Sequence, residues 1–380
     1  MAKAGSDVAI VSGDFVKTGG MDRANYALAD YLSRAGRSVE LVAHRIAPEL
    51  ADRPRIAFRR VPKPLGSYIL GEPLIDVAGR RAAERARARG GIAVVNGGNC
   101  VAPVNWVHYV HAVYPPPLPR NPRGALRFWH GRRARQRERK AVRAARLVIA
   151  NSAATRRVLV EELGVASELA FVVYYGIEAD AFPVGSAEGA AEARKALGWS
   201  NRPTVAFVGA LGDRRKGFDT LFDAWSALCR NGSWDVDLVA VGGGAEVDLW
   251  RSRAESAGLA QRVRLLGFRS DVGRVLSACD AFVAPTRYEA FGLAVAEALA
   301  IGLPAITSAA AGVAELYPKT LDRFLLDDPE SAGELARKLE RWREAAAESR
   351  AAIRELTERV RSRSWDDMAG EIAELMDRLG

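Results

Sequence analysis

The sequence is poor in cysteine, with three in 380 residues, and poor in histidine, with four. Cys100, Cys229 and Cys279 lie far apart, so neither a disulfide framework nor a thiolate zinc site follows from them. No apolar run approaches the ~18–20 residues that a membrane-crossing helix requires. The opening residues lack the apolar stretch of a secretory leader and run straight into Val8-Ala9-Ile10-Val11. A reducing cytoplasm is the expected location. The first strand is not followed by G-x-G-x-x-G, since Gly13, Gly19 and Gly20 have the wrong spacing; this argues against a nicotinamide or flavin enzyme. His44, His108, His111 and His130 form no H-x-x-x-H pair; with Asp-x-Asp spacing also expected to be missing, neither a metal nor another cofactor is expected.

What is abundant is basic charge. Lys and Arg number 55 against 46 acids, a net charge of +9 that favours anionic partners. Residues 120–146 read RNPRGALRFWHGRRARQRERKAVRAAR, with Glu138 the only acid. Such a run suits either a solvated helix or a surface for an anionic acceptor or inner-leaflet lipids. Nucleic acid is not expected, because no helix-turn-helix, zinc-finger or aromatic RNA-binding signature accompanies the charge. A non-catalytic anion- or nucleic-acid-binding protein using this segment is the alternative reading.

Short apolar runs alternate with longer helical patterns, the rhythm of parallel α/β layers. Strands are expected at 8–12, 39–43, 56–60, 92–95, 105–109, 147–150 and 170–174, with helices at 21–35, 74–89 and 123–145 between them. A polar stretch, 183–200, interrupts the rhythm. Strands then resume at 204–208, 236–241, 263–266, 281–284, 305–307 and 324–326, followed by a helical tail broken near 362–365. The expectation is two Rossmann-like, doubly wound α/β domains facing a central cleft. They would span residues 1–182 and 183–363, and a helix at about 364–380 would return to the first. Ligands of such sheets bind at the carboxyl ends of the strands.

Four constellations carry chemistry. In Pro285-Thr286-Arg287-Tyr288-Glu289-Ala290-Phe291-Gly292 a strand end turns into a helix beginning near Gly292. Backbone N–H groups of Phe291, Gly292 and Leu293 would open that helix as an anion site suited to a diphosphate. Glu289 precedes the helix, and Glu297, a turn inside it, can accept hydrogen bonds from ribose hydroxyls. The loop from Gly209 to Gly217 carries Arg214, Arg215 and Lys216, cations able to neutralise a leaving diphosphate without metal. Gly19-Gly20, between first strand and first helix, is either a tight turn or a backbone contact for phosphate or acceptor. His108 and His111 stand together before a proline loop; alternation turns His108 into the sheet, leaving His111 for the donor sugar or the acceptor hydroxyl.

At these residues the chain resembles the retaining GT-B glycosyltransferases of family 4. The segments 148–152 and 172–178, the loop 208–217, Gly242-Gly243-Gly244 and 266–271 resemble the family's landmarks. Glu289 to Glu297 fits its E-x7-E signature, and Ser364-Trp365-Asp366 its closing helix. The resemblance implies Glu289 at the donor sugar, Glu297 at the ribose and Lys216 at the diphosphate. It also implies Arg269 beside the nucleobase, Gly19 and Gly20 near the donor phosphates, and His111 near the reacting carbon. The donor would be a UDP- or GDP-sugar. The acceptor would be a hydroxyl on a glycan, a lipid-linked or a small molecule, with peripheral contact at the inner membrane face. One departure is Ala210, where the family often has arginine; Arg215, in preference to Arg214, is expected to supply that charge.

Overall fold

The computed structural model describes residues 7–114, 122–230 and 232–379. The chain forms two compact units: one runs to Gly176 and takes back Trp365 onward, and the other is Ile177–Ser364. The division falls at Gly176, six residues before the expected 182. The reason is local: the Ile177 N–H donates to the Arg363 carbonyl at 2.8 Å, and the Phe182 carbonyl accepts from Arg361, both inside the second unit.

The first unit holds a seven-stranded sheet in the order Ile56–Arg60, Val39–Ala43, Val8–Val11, Ile92–Asn96, Val104–Val107, Leu147–Ala150, Ala170–Val172. All its pairings are parallel. Parallel strands covered by helices on both faces are apolar throughout rather than alternating, which is why VAIV and LVIA are buried at every position. The helix Tyr68–Ala88 packs Ile75, Ala82 and Ala86 over Val11, Ala93 and Val95. Of these, Ile75, Val11 and Val95 each contribute about 1.5–3 kcal/mol and the alanines less. This helix begins six residues earlier than the sequence pattern suggests. Pro73 lies inside it, and Gly71 lets it approach the His44 ring, where an added Cβ would sit 2.5 Å from Cε1. The helix Trp365–Asp377 completes the unit: Arg34 pairs with Asp366, and buried Arg37 with Asp377 at 2.6 Å.

The second unit repeats the plan with six strands in the order Val263–Leu265, Asp237–Val241, Thr204–Val208, Ala281–Ala284, Ala305–Ser308, Leu325–Leu326. Counted along each unit, the sheets read 3-2-1-4-5-6-7 and 3-2-1-4-5-6, so in both the strand order reverses between strands one and four, where ligands of doubly wound sheets bind. The expected polar interruption at 183–200 contains a helix, Ala187–Leu197. Ser186 caps it, accepting from the Gly189 N–H, and Gly198 ends it in the left-handed region. Ala193 is its only buried residue, so it leaves almost no apolar periodicity to read.

Candidate active site

In the second unit the reversal point is walled by the loops after Thr204–Val208 and Ala281–Ala284. The first loop lies on the glycine turn after Asp237–Val241. Leu211 N–H donates to the Gly243 carbonyl at 2.9 Å, and Gly242 and Gly244 have φ of +145° and +151°. A Cβ on Gly244 would stand 1.7 Å from the Leu211 carbonyl oxygen, so only glycine permits the approach. The two loops are tied through Arg287: its N–H donates to the Arg215 carbonyl, and its guanidinium reaches the Arg214 carbonyl, both Asp219 oxygens and Glu330. Burial alone would raise the Asp219 carboxyl, but the Arg287 guanidinium holds it below its ordinary range.

Across this junction Lys216 Nζ meets Glu289 Oε2 at 2.5 Å, with both side chains about three-quarters covered. Two of the expected site residues, 73 positions apart in sequence, thus form one ion pair. Arg215 points elsewhere. Its Nε and Nη2 engage the two oxygens of Asp213 at 3.0 and 2.5 Å, so much of its charge is balanced within the loop. Arg269 is likewise paired, bidentate with Asp271 at 2.8 and 2.7 Å. Gly209 presses on Phe207, where a Cβ would lie 2.9 Å from the ring.

The helix after Glu289 starts at Leu293, one residue later than expected, because Gly292 takes a left-handed conformation with φ 109° as its N-cap. The Phe291 carbonyl accepts from Val313 at 2.5 Å and the Glu289 carbonyl from Gly312 at 3.0 Å, fixing the turn that aims the helix N-terminus. The helix Leu293–Ile301 is apolar except for Glu297, which is buried. Sequence reasoning missed Arg287, although it stands inside the quoted motif; its partners are 43 to 73 residues away and leave no local pattern. Contrary to the expectation that Asp-x-Asp is missing, one such triplet is present, Asp235-Val236-Asp237. Asp235 is held by Arg343, and Asp237 by Arg262 and Arg264.

In the first unit Gly19 caps the helix Gly20–Arg34 with φ 86°. Nearby, Asp14 is buried against Arg45 and Tyr68. Burial, then the Asp14 charge, pushes the Asp22 carboxyl up to about 7 despite Arg45 and Lys63. His108 is a sheet residue: Nε2 meets the Asn96 amide at 3.0 Å, Nδ1 meets the Tyr175 hydroxyl, and burial pushes its imidazolium down to about 3. His111 differs. Its backbone N–H donates to Glu138 Oε2 at 3.0 Å and its Nδ1 lies 2.9 Å from Oε1, while the ring is nearly half exposed. Glu138, fully buried, belongs to the helix Pro122–Ala144. It is the lone acid of the basic run, a signal that could have been read as purposeful.

That run does not present one uniform basic face. Arg137 pairs with Glu72, and Arg139 and Arg143 donate to the Glu162 and Leu163 carbonyls. Trp129 is 60% exposed with Arg132 over its ring. The proline loop at 115–117 and the start of the run at 120 lie outside the described residues. Among the described residues no helix is long and apolar enough to cross a membrane.

Two doubly wound α/β units of this kind make up the architecture called GT-B. Residues 18–181 match the model described as Glycosyltransferase Family 4, and residues 190–360 that of Glycosyl transferases group 1; the chain belongs to this family. It is 36% identical to the lipopolysaccharide core biosynthesis mannosyltransferase LpsB of Rhizobium meliloti, over 33% of this chain and 37% of that protein. Matches to the first curated relatives span about a third to a half of their lengths. Among solved structures, sucrose-phosphate synthase of Thermosynechococcus elongatus superposes with a TM-score of 0.78 at 21% identity, covering 98% of this chain and 99% of that one. Anabaena Alr3699/HepE in complex with UDP-glucose gives 0.71 at 22%, with the same coverage.

Proposed function

We propose that the protein transfers a hexosyl unit from a nucleoside-diphosphate sugar to a hydroxyl acceptor, without metal and with retention at the anomeric carbon. The Lys216–Glu289 pair at the carboxyl edge of the second sheet is the observation that carries this reading. A diphosphate seated at the N-terminus of Leu293–Ile301 would draw on the Lys216 charge and on the positive end of that helix. Glu289 would then accept from the sugar's hydroxyls, and Glu297 from the ribose. Phe291, Gly292 and Leu293 would shape the phosphate seat of the second unit, and Gly19 and Gly20 would offer backbone N–H groups to a phosphate in the first. Arg269 flanks the base.

The bond between anomeric carbon and diphosphate oxygen breaks with its electron pair leaving on the diphosphate. The acceptor oxygen attaches on the same face and its proton passes to the departing phosphate oxygen. Lys216, aided by Arg215, stabilises the negative charge that develops. With Glu138 accepting at Nδ1, His111 would turn its Nε2 to a sugar hydroxyl. A UDP- or GDP-sugar donor fits the reading; relatives and neighbours whose names include a mannosyltransferase and a UDP-glucose complex support it. The Trp129–Arg132 pair supports peripheral contact with an anionic membrane face when the acceptor is lipid-linked, and the three free thiols support a reducing cytoplasm.

The test is a thermal melt with UDP, GDP and ADP, each with a chelator present. One diphosphate should raise Tm, since a ligand at 100 times its Kd adds about 2.7 kcal/mol. The matching sugar nucleotide should then be slowly hydrolysed. Stabilisation by oligonucleotides alone would reject the proposal in favour of a nucleic-acid binder.

A further inference from the structure

The first unit contains a cavity of about 230 Å³. It lies at that sheet's own reversal point, between Gly13 after the first strand and Asn96–Asn99 at the end of the fourth. Three of its wall residues carry buried polar atoms with no hydrogen-bond partner: His44 Nε2 and Asn96 Oδ1, on side chains 3% and 7% exposed, and Arg137 Nε. A buried polar atom left unpaired is costly, and a cavity flanked by two acceptors and one donor of this kind is suited to a ligand that both gives and takes hydrogen bonds. His44 Nδ1 is committed to the Val61 carbonyl at 2.9 Å, and Asn96 Nδ2 to Trp106 and His108.

The charges of the wall cancel. Glu72 is neutralised by Arg137 and approached by His130. Burial keeps His108 uncharged above about pH 3. No lysine lines the cavity, and the charge of its arginine is balanced by Glu72 through Nη2, leaving Nε to donate to a neutral oxygen. An anionic group would therefore enter against Glu72 without a cation of its own, whereas hydroxyls need none. The rings of Tyr68 and Tyr109 line the same space and offer faces for the C–H side of a saturated ring. The volume is below the ~300–1,000 Å³ of pockets for drug-sized ligands, so it holds one ring rather than a chain of them.

We propose that this cavity binds a single uncharged polyhydroxylated ring, a pyranose or a cyclitol, as the accepting unit, with hydroxyls completing His44 Nε2 and Asn96 Oδ1. The proposal rests on the glycosyl-transfer reading for the ring's fate, but not for its binding. His111, which lines the same cavity, would then lie beside the hydroxyl that reacts.

Saturation-transfer NMR on the full chain, without nucleotide, tests it. The probes are the methyl glycosides of glucose, mannose, galactose and N-acetylglucosamine, with myo-inositol, each run against the corresponding ring phosphate. At least one neutral ring should show transfer, and Asn96→Leu should reduce it at least fivefold. Should Asn96→Leu fail to fold, Ala134→Leu, which extends an apolar side chain into the cavity, should have the same effect. Binding by the phosphates alone, by no ring, or by rings indifferent to a folded variant overturns the proposal. Failure of the broader reading shows separately: no nucleoside diphosphate shifts the melt, whatever the rings do.

Discussion

Glu138 holds His111 at two points, accepting from its backbone N–H and standing 2.9 Å from Nδ1. A fully buried carboxylate fixes both the loop and the ring's tautomer. Close packing brings it there, since a Cβ on Gly98 would lie 3.0 Å from the Glu138 backbone nitrogen. Glu138→Gln keeps the volume but loses the charge and one acceptor. Transfer kcat should fall at least about tenfold, while donor KM stays within about threefold, read by steady-state kinetics beside a melt that confirms folding. An unchanged kcat would reduce Glu138 to a packing residue.

Lys216→Ala and Glu289→Ala should each lower transfer by roughly two orders of magnitude or more, with Tm changed by a few degrees at most, because the pair is partly exposed and contributes little to stability. Arg215→Ala should cost less than either, since Asp213 already holds its guanidinium. Ranking the three by kcat/KM is the check. Near-wild-type turnover in Lys216→Ala would remove this lysine from the mechanism.

Gly217 has φ +71°, and a Cβ there would fall 1.9 Å from the Pro285 carbonyl oxygen. Gly217→Ala must therefore push apart the two loops that carry Lys216 and Glu289. A loss of stability of about 1–3 kcal/mol should accompany a raised donor KM, measured by denaturant titration and kinetics on the same preparation.

Asp22 makes stability depend on pH. Below its ordinary 3.8 the carboxyl is protonated whether the chain is folded or not. From 3.8 to about 7 the unfolded chain ionises and the folded one resists, so the contribution is lost as pH rises and is gone above about 7. Asp22→Asn should be more stable than the parent at pH 7.5, by an advantage that shrinks toward pH 4 at up to roughly 1 kcal/mol per pH unit. Urea melts at pH 4, 5.5 and 7.5 decide it; a constant difference would show that burial does not govern this group.

Arg37, almost fully buried, meets both oxygens of Asp377 at 2.6 and 2.7 Å. Asp377→Asn leaves that guanidinium short of its counter-charge and should destabilise the first unit by ~1–3 kcal/mol. Loss of protection in residues 20–34 on hydrogen exchange would locate the effect.

Much of this was legible in the letters because parallel strands buried on both faces are near-continuous apolar runs: 39–43, 147–150, 204–208 and 281–284 appear where the pattern puts them. Glu289 and Lys216 could be named because each sits on a strand-to-helix turn, but their contact depends on topology. Three kinds of feature escaped. Helix Ala187–Leu197 buries a single alanine. Helix Tyr68–Ala88 runs through a proline normally read as a boundary. Arg287, Glu138 and Asp213 act through partners or orientations that spacing does not encode, and Asp213 turns the expected replacement for the charge missing at Ala210 back onto its own loop.

The bond from Ile177 to the Arg363 carbonyl makes the second unit a closed insertion within the first. On the ribosome, residues 177–364 can finish folding while the face of Gly20–Arg34 that receives Trp365–Asp377 is still waiting for it. The order of completion that this connectivity allows is therefore inside-out: the inserted unit can mature first, and the unit synthesised earliest is sealed last.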